Sequence, residues 1–213
     1  MIIQPFPSGP FETNAYVVAC SKTREAAIID PAPESAEKVI DFITKEDLTP
    51  IAMLITHSHW DHIGDAFKLK EHYSIPVYIH SLDVPNLKQP GSDGLPMWID
   101  IRGVVPDKTF SEGDLIKIGT IEFKVIHTPG HTPGGVCFYS EKQSVLLSGD
   151  TLFKGSIGNL SFPTSVPNAM WGSLEKLAKL PAQTIVYPGH GPSTTIGKES
   201  WLSKAQELFG FSS

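Results

Sequence analysis

The chain has 213 residues, with 17 Lys and Arg against 23 Asp and Glu and a formal net charge of −6. Its length suits one large domain that buries roughly 70% of the surface of its extended form. A 40% hydrophobic share with a mean hydropathy of −0.05 excludes a disordered chain, and no segment is long and apolar enough to span a bilayer. Lys and Arg form no run that would track a phosphate backbone, so nucleic acid is not expected as a partner. Met1 to Pro7 lacks a basic n-region and a continuous apolar stretch, so a cytoplasmic location is expected. Cys20 and Cys137 stand far apart, outside any Cys-x-x-Cys spacing, and imply neither a disulfide framework nor a thiolate zinc cage.

In chain order, Tyr16–Ala19 and Ala26–Ile29 read as strands around a turn at Ser21–Glu25, and Asp30-Pro31-Ala32-Pro33 then stops the pairing. Ala36, Val39, Ile40 and Ile43 recur at helical spacing within Glu34–Glu46, followed by the apolar strand Ile51–Ile55. A second helix is expected over Ile63–Tyr73 and a strand over Val77–Ile79, while Ser81–Val105, rich in Pro, Gly and Asp, reads as irregular. Leu115–Ile118 and Ile121–Ile126 form a hairpin about Gly119-Thr120. Strands at Val136–Tyr139 and Val145–Leu147 follow, then a helix near Met170–Leu180, a strand at Ile185–Tyr187 and a final helix near Lys198–Phe209. No repeat, low-complexity tract or linker divides the chain, and one catalytic domain over residues 1–213 is expected.

The densest chemistry is Thr56-His57-Ser58-His59-Trp60-Asp61-His62, directly after the apolar run ending at Ile55. Alternate residues of an extended chain project to one side, so His57 and His59 can converge on one ion while His62, off that parity, faces another. Asp61 shares the parity of the first two, and only a loop or a helix start would redirect it. Three more potential ligands, His131, Asp150 and His190, each end an apolar strand in a loop crowded with Gly and Pro or Ser. Leaving His57, His59, Asp61 and His62 packed without an ion would carry a large desolvation cost. Seven nitrogen and carboxylate ligands exceed one tetrahedral site and suit two divalent ions, zinc first, with iron or manganese also accepted. His72, His80 and His127 are read as ordinary solvated or hydrogen-bonded side chains.

Taken in order, these segments resemble the metallo-β-lactamase superfamily, with its His-x-His-x-Asp-His, then His, Asp and His. The resemblance spans nearly the whole chain. It implies an α/β fold, a four-layer αβ/βα sandwich of two mixed sheets with helices outside. It also implies that His57, His59 and His131 bind one ion, that Asp61, His62 and His190 bind the other, and that Asp150 bridges them. Gly149-Asp150-Thr151-Leu152-Phe153 and Val186-Tyr187-Pro188-Gly189-His190-Gly191 resemble the glyoxalase II (hydroxyacylglutathione hydrolase) group, especially its short forms. Only 23 residues follow His190, so the C-terminal helical domain with which longer relatives grip glutathione is not expected. Asn159 stands near the place of a basic glutathione contact in those relatives, and Lys154 is a candidate replacement.

A water shared by two divalent ions is acidified to a pKa of about 7. The expected reaction is therefore attack of a metal-bridging hydroxide on a small-molecule thioester such as S-lactoylglutathione, with Asp61 orienting the nucleophile. The same pattern accommodates a persulfide dioxygenase with one iron on His57, His131 and Asp150. A β-lactamase is less expected, because Asp150 occupies the place of a thiolate ligand in many such enzymes. A metal-binding domain without turnover is the non-enzymatic alternative. The sequence carries no interface signature that would fix an oligomeric state.

Overall fold

The computed structural model describes residues 1–210. The first sheet is built from β1 (Ile2–Ser8), β2 (Thr13–Ala19), β3 (Glu25–Ile29), β4 (Thr49–Leu54), β5 (Val77–His80) and β6 (Lys108–Phe110), hydrogen-bonded in that order. Pairing is antiparallel from β1 to β3 and parallel from β3 to β6. Helices α1 (Ala36–Lys45), α2 (Trp60–Ile63), α3 (Ala66–Tyr73) and α4 (Val84–Lys88) are inserted between its strands.

The second sheet comprises β7 (Leu115–Ile118), β8 (Ile121–His127), β9 (Val136–Ser140), β10 (Val145–Gly149), β11 (Ile185–Pro188) and β12 (Thr194–Thr195). It is also mixed, with β10 and β11 parallel and the other neighbours antiparallel. Helix α5 (Pro167–Ala178) crosses from β10 to β11, and α6 (Ala205–Phe209) ends the described chain.

Side-chain alternation sorts the core into three apolar layers. Tyr16, Val18, Ala27, Ile29 and Leu54 of the first sheet meet Phe123, Val125, Phe138 and Leu147 of the second. The opposite parity of the first sheet, Val17, Ala19, Ala26 and Ile28, packs on Val39 and Ile43 of α1 and Leu69 of α3. The opposite parity of the second, Cys137, Tyr139, Leu146 and Val186, packs on Met170, Leu174 and Leu177 of α5. Both faces of both sheets are thus covered, which is why β2, β9 and β10 are buried along their whole length. The result is the expected four-layer αβ/βα sandwich.

Several elements depart from the sequence expectation. The strand readings begin at Tyr16, yet β1 forms ahead of it, with Pro5 and Pro7 tolerated because it is an edge strand paired only with β2, where a missing N–H need cost no ladder bond. The helix expected over Ile63–Tyr73 is two, α2 and α3, broken at Gly64-Asp65 where Asp65 turns to accept the Ala36 N–H at 2.7 Å. The irregular stretch holds the short α4, with Pro85 in its first turn. The final helix is largely 3-10 turns, and only Ala205–Phe209 is α-helical. No described helix is long and apolar enough to cross a membrane.

Candidate metal centre

The C-terminal ends of β4, β8, β10 and β11 open at one end of the sandwich, and each is followed by a loop that carries part of the site. Backbone bonds fasten these ends together: Val136 N–H to Thr56 O (2.9 Å), Gly189 N–H to Gly149 O (2.8 Å) and Asn14 N–H to Gly189 O (2.7 Å). Ligand atoms of His57, His59 and His131 lie within 4.8 Å of one another, and so do those of Asp61, His62 and His190. The helix start at Trp60, with His59 as its N-cap residue, turns Asp61 away from the extended parity of His57 and His59 and toward the second group. Asp150 stands between the groups. Its Oδ1 is 3.3 Å from His62 Nε2, and its Oδ2 is 3.4 Å from His131 Nε2 and 3.5 Å from His190 Nε2.

The remaining ring nitrogens reveal how each imidazole is held. His62 Nδ1 donates to Asp30 (3.0 Å), His131 Nδ1 to the carbonyl of Asn159 (2.8 Å) and His190 Nδ1 to the carbonyl of Phe11 (3.1 Å). The Thr56 hydroxyl donates to Asp30 at 2.6 Å, so its oxygen is free to accept from His57 Nδ1 at 3.1 Å. Each of these four rings therefore turns an Nε2 lone pair inward, the arrangement by which outer hydrogen bonds orient metal-ligating histidines. The Nε2 atoms of His62 and His190 face each other at 3.3 Å, and His57 Nε2 and Asp150 Oδ1 are buried without a hydrogen-bond partner. Opposed lone pairs and an orphaned carboxylate oxygen need a cation between them. These histidines and aspartates fit a pair of divalent ions.

The electrostatics agree. Burial pushes His57 well below the ordinary imidazole range and His59 down to about 3, which keeps both neutral and able to ligate. His131 is lowered by the same cause. Burial also opposes charge on His62 and His190, but Asp150 and Asp61 override it, raising His62 well above its usual value and His190 to about 9. Although burial would raise Asp61, His62 and His190 bring its carboxyl down to about 2, and Asp150 is held well below the usual range by the same rings. The group demands positive charge.

Sequence reasoning missed the residues that hold this arrangement. Asp30, in a left-handed conformation (φ 46°), accepts the Thr56 N–H (2.7 Å) in addition to Thr56 Oγ1 and His62 Nδ1. It belongs to a third cluster with His57 and His62, but its occupied oxygens make it an orienting group. Asp83 accepts the N–H groups of Ser58 (2.9 Å) and Gly134 (2.7 Å), tying the His57–His62 loop to the loop of His131. Asn86 of α4 donates to Ser58 O at 2.6 Å, and the Thr13 hydroxyl donates to Asp61 Oδ2 at 2.8 Å. Gly189 must lack a side chain, since a Cβ there would collide with the Asp150 carboxylate and the His62 ring.

Of the other sequence candidates, Asn159 lines the cavity above the cluster, and its Oδ1 accepts the Ser161 N–H. Lys154 is exposed at the turn closed by the Phe153–Ser156 bridge and does not line that cavity. His80 and His127 stack on each other at 4.1 Å, outside the cluster. Cys20 and Cys137 are free and buried.

Comparison with known proteins bears directly on this geometry. The chain is 35% identical over 206 residues to the hydroxyacylglutathione hydrolase GloC of Haemophilus influenzae, covering 93% of this chain and 95% of the relative. The crystal structure of BLEG-1 B3 metallo-beta-lactamase superposes with a TM-score of 0.87 and 39% identity, covering 95% of this chain and all of that one. TTHA1623 in a di-iron-bound form superposes at 0.81 with 38% identity, covering 92% and 96%. Residues 8–190 match the model of the metallo-beta-lactamase superfamily, and it is to this superfamily that the chain belongs.

Proposed function

We propose that the chain is a metal-dependent hydrolase that cleaves a small-molecule thioester, with the seven residues named above as ligands of two divalent ions. The observation that carries this reading is Asp150, whose two oxygens reach both histidine groups at the floor of a cavity of about 420 Å³. His57, His59 and His131 would hold one ion, and Asp61, His62 and His190 the other. Ions so held supply Lewis acidity and lower the pKa of a coordinated water to about 7. Zinc suits this donor set, and the di-iron form of TTHA1623 keeps iron in view.

The chain's own groups then have definable tasks. Asp61 lines the cavity and is ionised, with the Thr13 hydroxyl fixing its orientation, so it can accept a hydrogen bond from an attacking water and orient it. Trp60 and Phe162 wall the reacting centre from bulk solvent. Water adds to the thioester carbonyl carbon, the carbon–sulfur bond breaks, one of the water's protons goes to the departing sulfur and the other to solvent, and a carboxylate and a thiol leave. The name of the Haemophilus influenzae relative makes S-lactoylglutathione the first thioester to assay. A one-iron dioxygenase on His57, His131 and Asp150 leaves the Asp61, His62 and His190 group without a task.

The likeness to BLEG-1 favours a second reading, hydrolysis of a β-lactam amide by the same centre. Assaying metal-loaded protein on thioesters and on a chromogenic cephalosporin separates the two. Thioester turnover that disappears in Asp150→Ala supports the proposal. Retained turnover in that variant, or turnover of the cephalosporin alone, overturns it.

A further inference from the structure

The walls of the cavity restrict what can lie beside the reacting bond. Above its floor of His and Asp groups, the lining is Phe11, Trp60, Leu95, Trp98, Phe153 and Phe162 together with Pro96 and Asn159, and it includes no Lys or Arg. The aromatic rings flank both ligand groups. Phe162 lies 5.3 Å from the His59 ring and 5.6 Å from the His131 ring, on one side. On the other, Phe153 stands 5.9 Å from His190, and Phe11, Trp60 and Trp98 pack on one another at 5.3 to 5.7 Å. Whichever half of a substrate faces either side, it meets apolar carbon.

A carboxylate placed against such a wall, away from the ligand groups at the floor, loses water and gains no cation, which is costly. Above the floor nothing in the lining repays that cost: no Lys or Arg is present, Lys154 lies outside, and the charge of ions at the floor is balanced in part by Asp61 and Asp150 and directed at the reacting bond. An uncharged aromatic or aliphatic group instead gains from leaving water.

We infer that the cavity selects thioesters uncharged and apolar on both sides of the scissile bond, and discriminates against the two carboxylates of glutathione. The inference rests on the hydrolase reading for its reaction, but the order of affinities follows from the walls alone.

Calorimetric titration of the metal-loaded protein with benzyl mercaptan, glutathione and thiocholine tests it. Their S-methyl thioethers, which carry no ionisable sulfur, are titrated alongside, so that an order common to both series reports the walls and not thiol acidity. Benzyl mercaptan is expected to bind about tenfold tighter than glutathione or more. Trp98→Ala, at a residue 66% exposed and so free of a core role, is expected to shrink that ratio to about threefold or less. Equal or tighter binding of glutathione overturns the inference, as does tightest binding of thiocholine, which would mark the rings as a cation cage. The S-acetyl esters of the same thiols are assayed alongside. Absence of turnover on all three overturns the hydrolase reading, while the thiol affinities still decide the inference.

Discussion

Asp30 accepts the Nδ1 proton of His62 at 3.0 Å and thereby turns the opposite nitrogen of that ring toward His190 and Asp150. The two residues are 32 positions apart, one directly after β3 and the other in α2, so this bond fixes the ring against the first sheet. Replacing Asp30 by Ala releases the ring and leaves the Thr56 N–H unpaired. The expected loss is about 10- to 100-fold in affinity for the ion at Asp61, His62 and His190, with about 1–3 kcal/mol of stability. Competition with a chromogenic chelator and urea unfolding measure the two, and unchanged metal affinity would remove Asp30 from its orienting role.

Asp83 acts across the other seam. Its carboxylate is buried, which raises its pKa, and it takes the N–H groups of Ser58 and Gly134 from two different loops. In Asp83→Ala both donors are orphaned, at about 2–6 kcal/mol in total, and His131 is no longer held in register with His57 and His59. Urea unfolding and metal affinity are expected to fall together. A fall in stability with metal binding intact would reduce Asp83 to a structural residue.

Metal-free protein should have a stability maximum near pH 6.5. His190 is raised from 6.5 to about 9, so its contribution is complete below 6.5 and is lost as the pH climbs to about 9. His59 is lowered to about 3, so the unfolded chain takes a proton that the folded chain refuses, and stability falls as the pH drops from 6.5 toward 3. Asp61, lowered from 3.8 to about 2, adds a further loss on the acid side. Bound ions replace the protons between His190, His62 and the carboxylates, which abolishes the alkaline loss and makes metal affinity rise with pH. Thermal unfolding with chelator and with metal tests this. A metal-free Tm that rises between pH 6.5 and 9 would contradict it.

The seven candidate ligands were legible because each lies just beyond an apolar strand, four of them in the single segment His57–His62. Asp61 was legible as a candidate but not as a member of one group, since its direction depends on where α2 begins. Asp30 escaped notice because an acidic residue between a strand and Pro31 also reads as chain punctuation. Asp83 and Asn86 lie in the aperiodic stretch between β5 and β6, where order comes from bonds to Ser58 and Gly134 and leaves no local pattern. The layers of the sandwich were legible through the family resemblance, whereas β1, whose Pro5 and Pro7 suit an edge position, drew no strand reading.

The proposed dinuclear hydrolytic centre is tested most directly by titrating metal-free protein with Zn²⁺ while following thioester hydrolysis. Because Asp150 reaches both ligand groups, activity is expected to rise until two equivalents are bound, and to vanish when chelator removes them. Activity that is full at one equivalent, or that survives the chelator, would contradict a centre built on both groups.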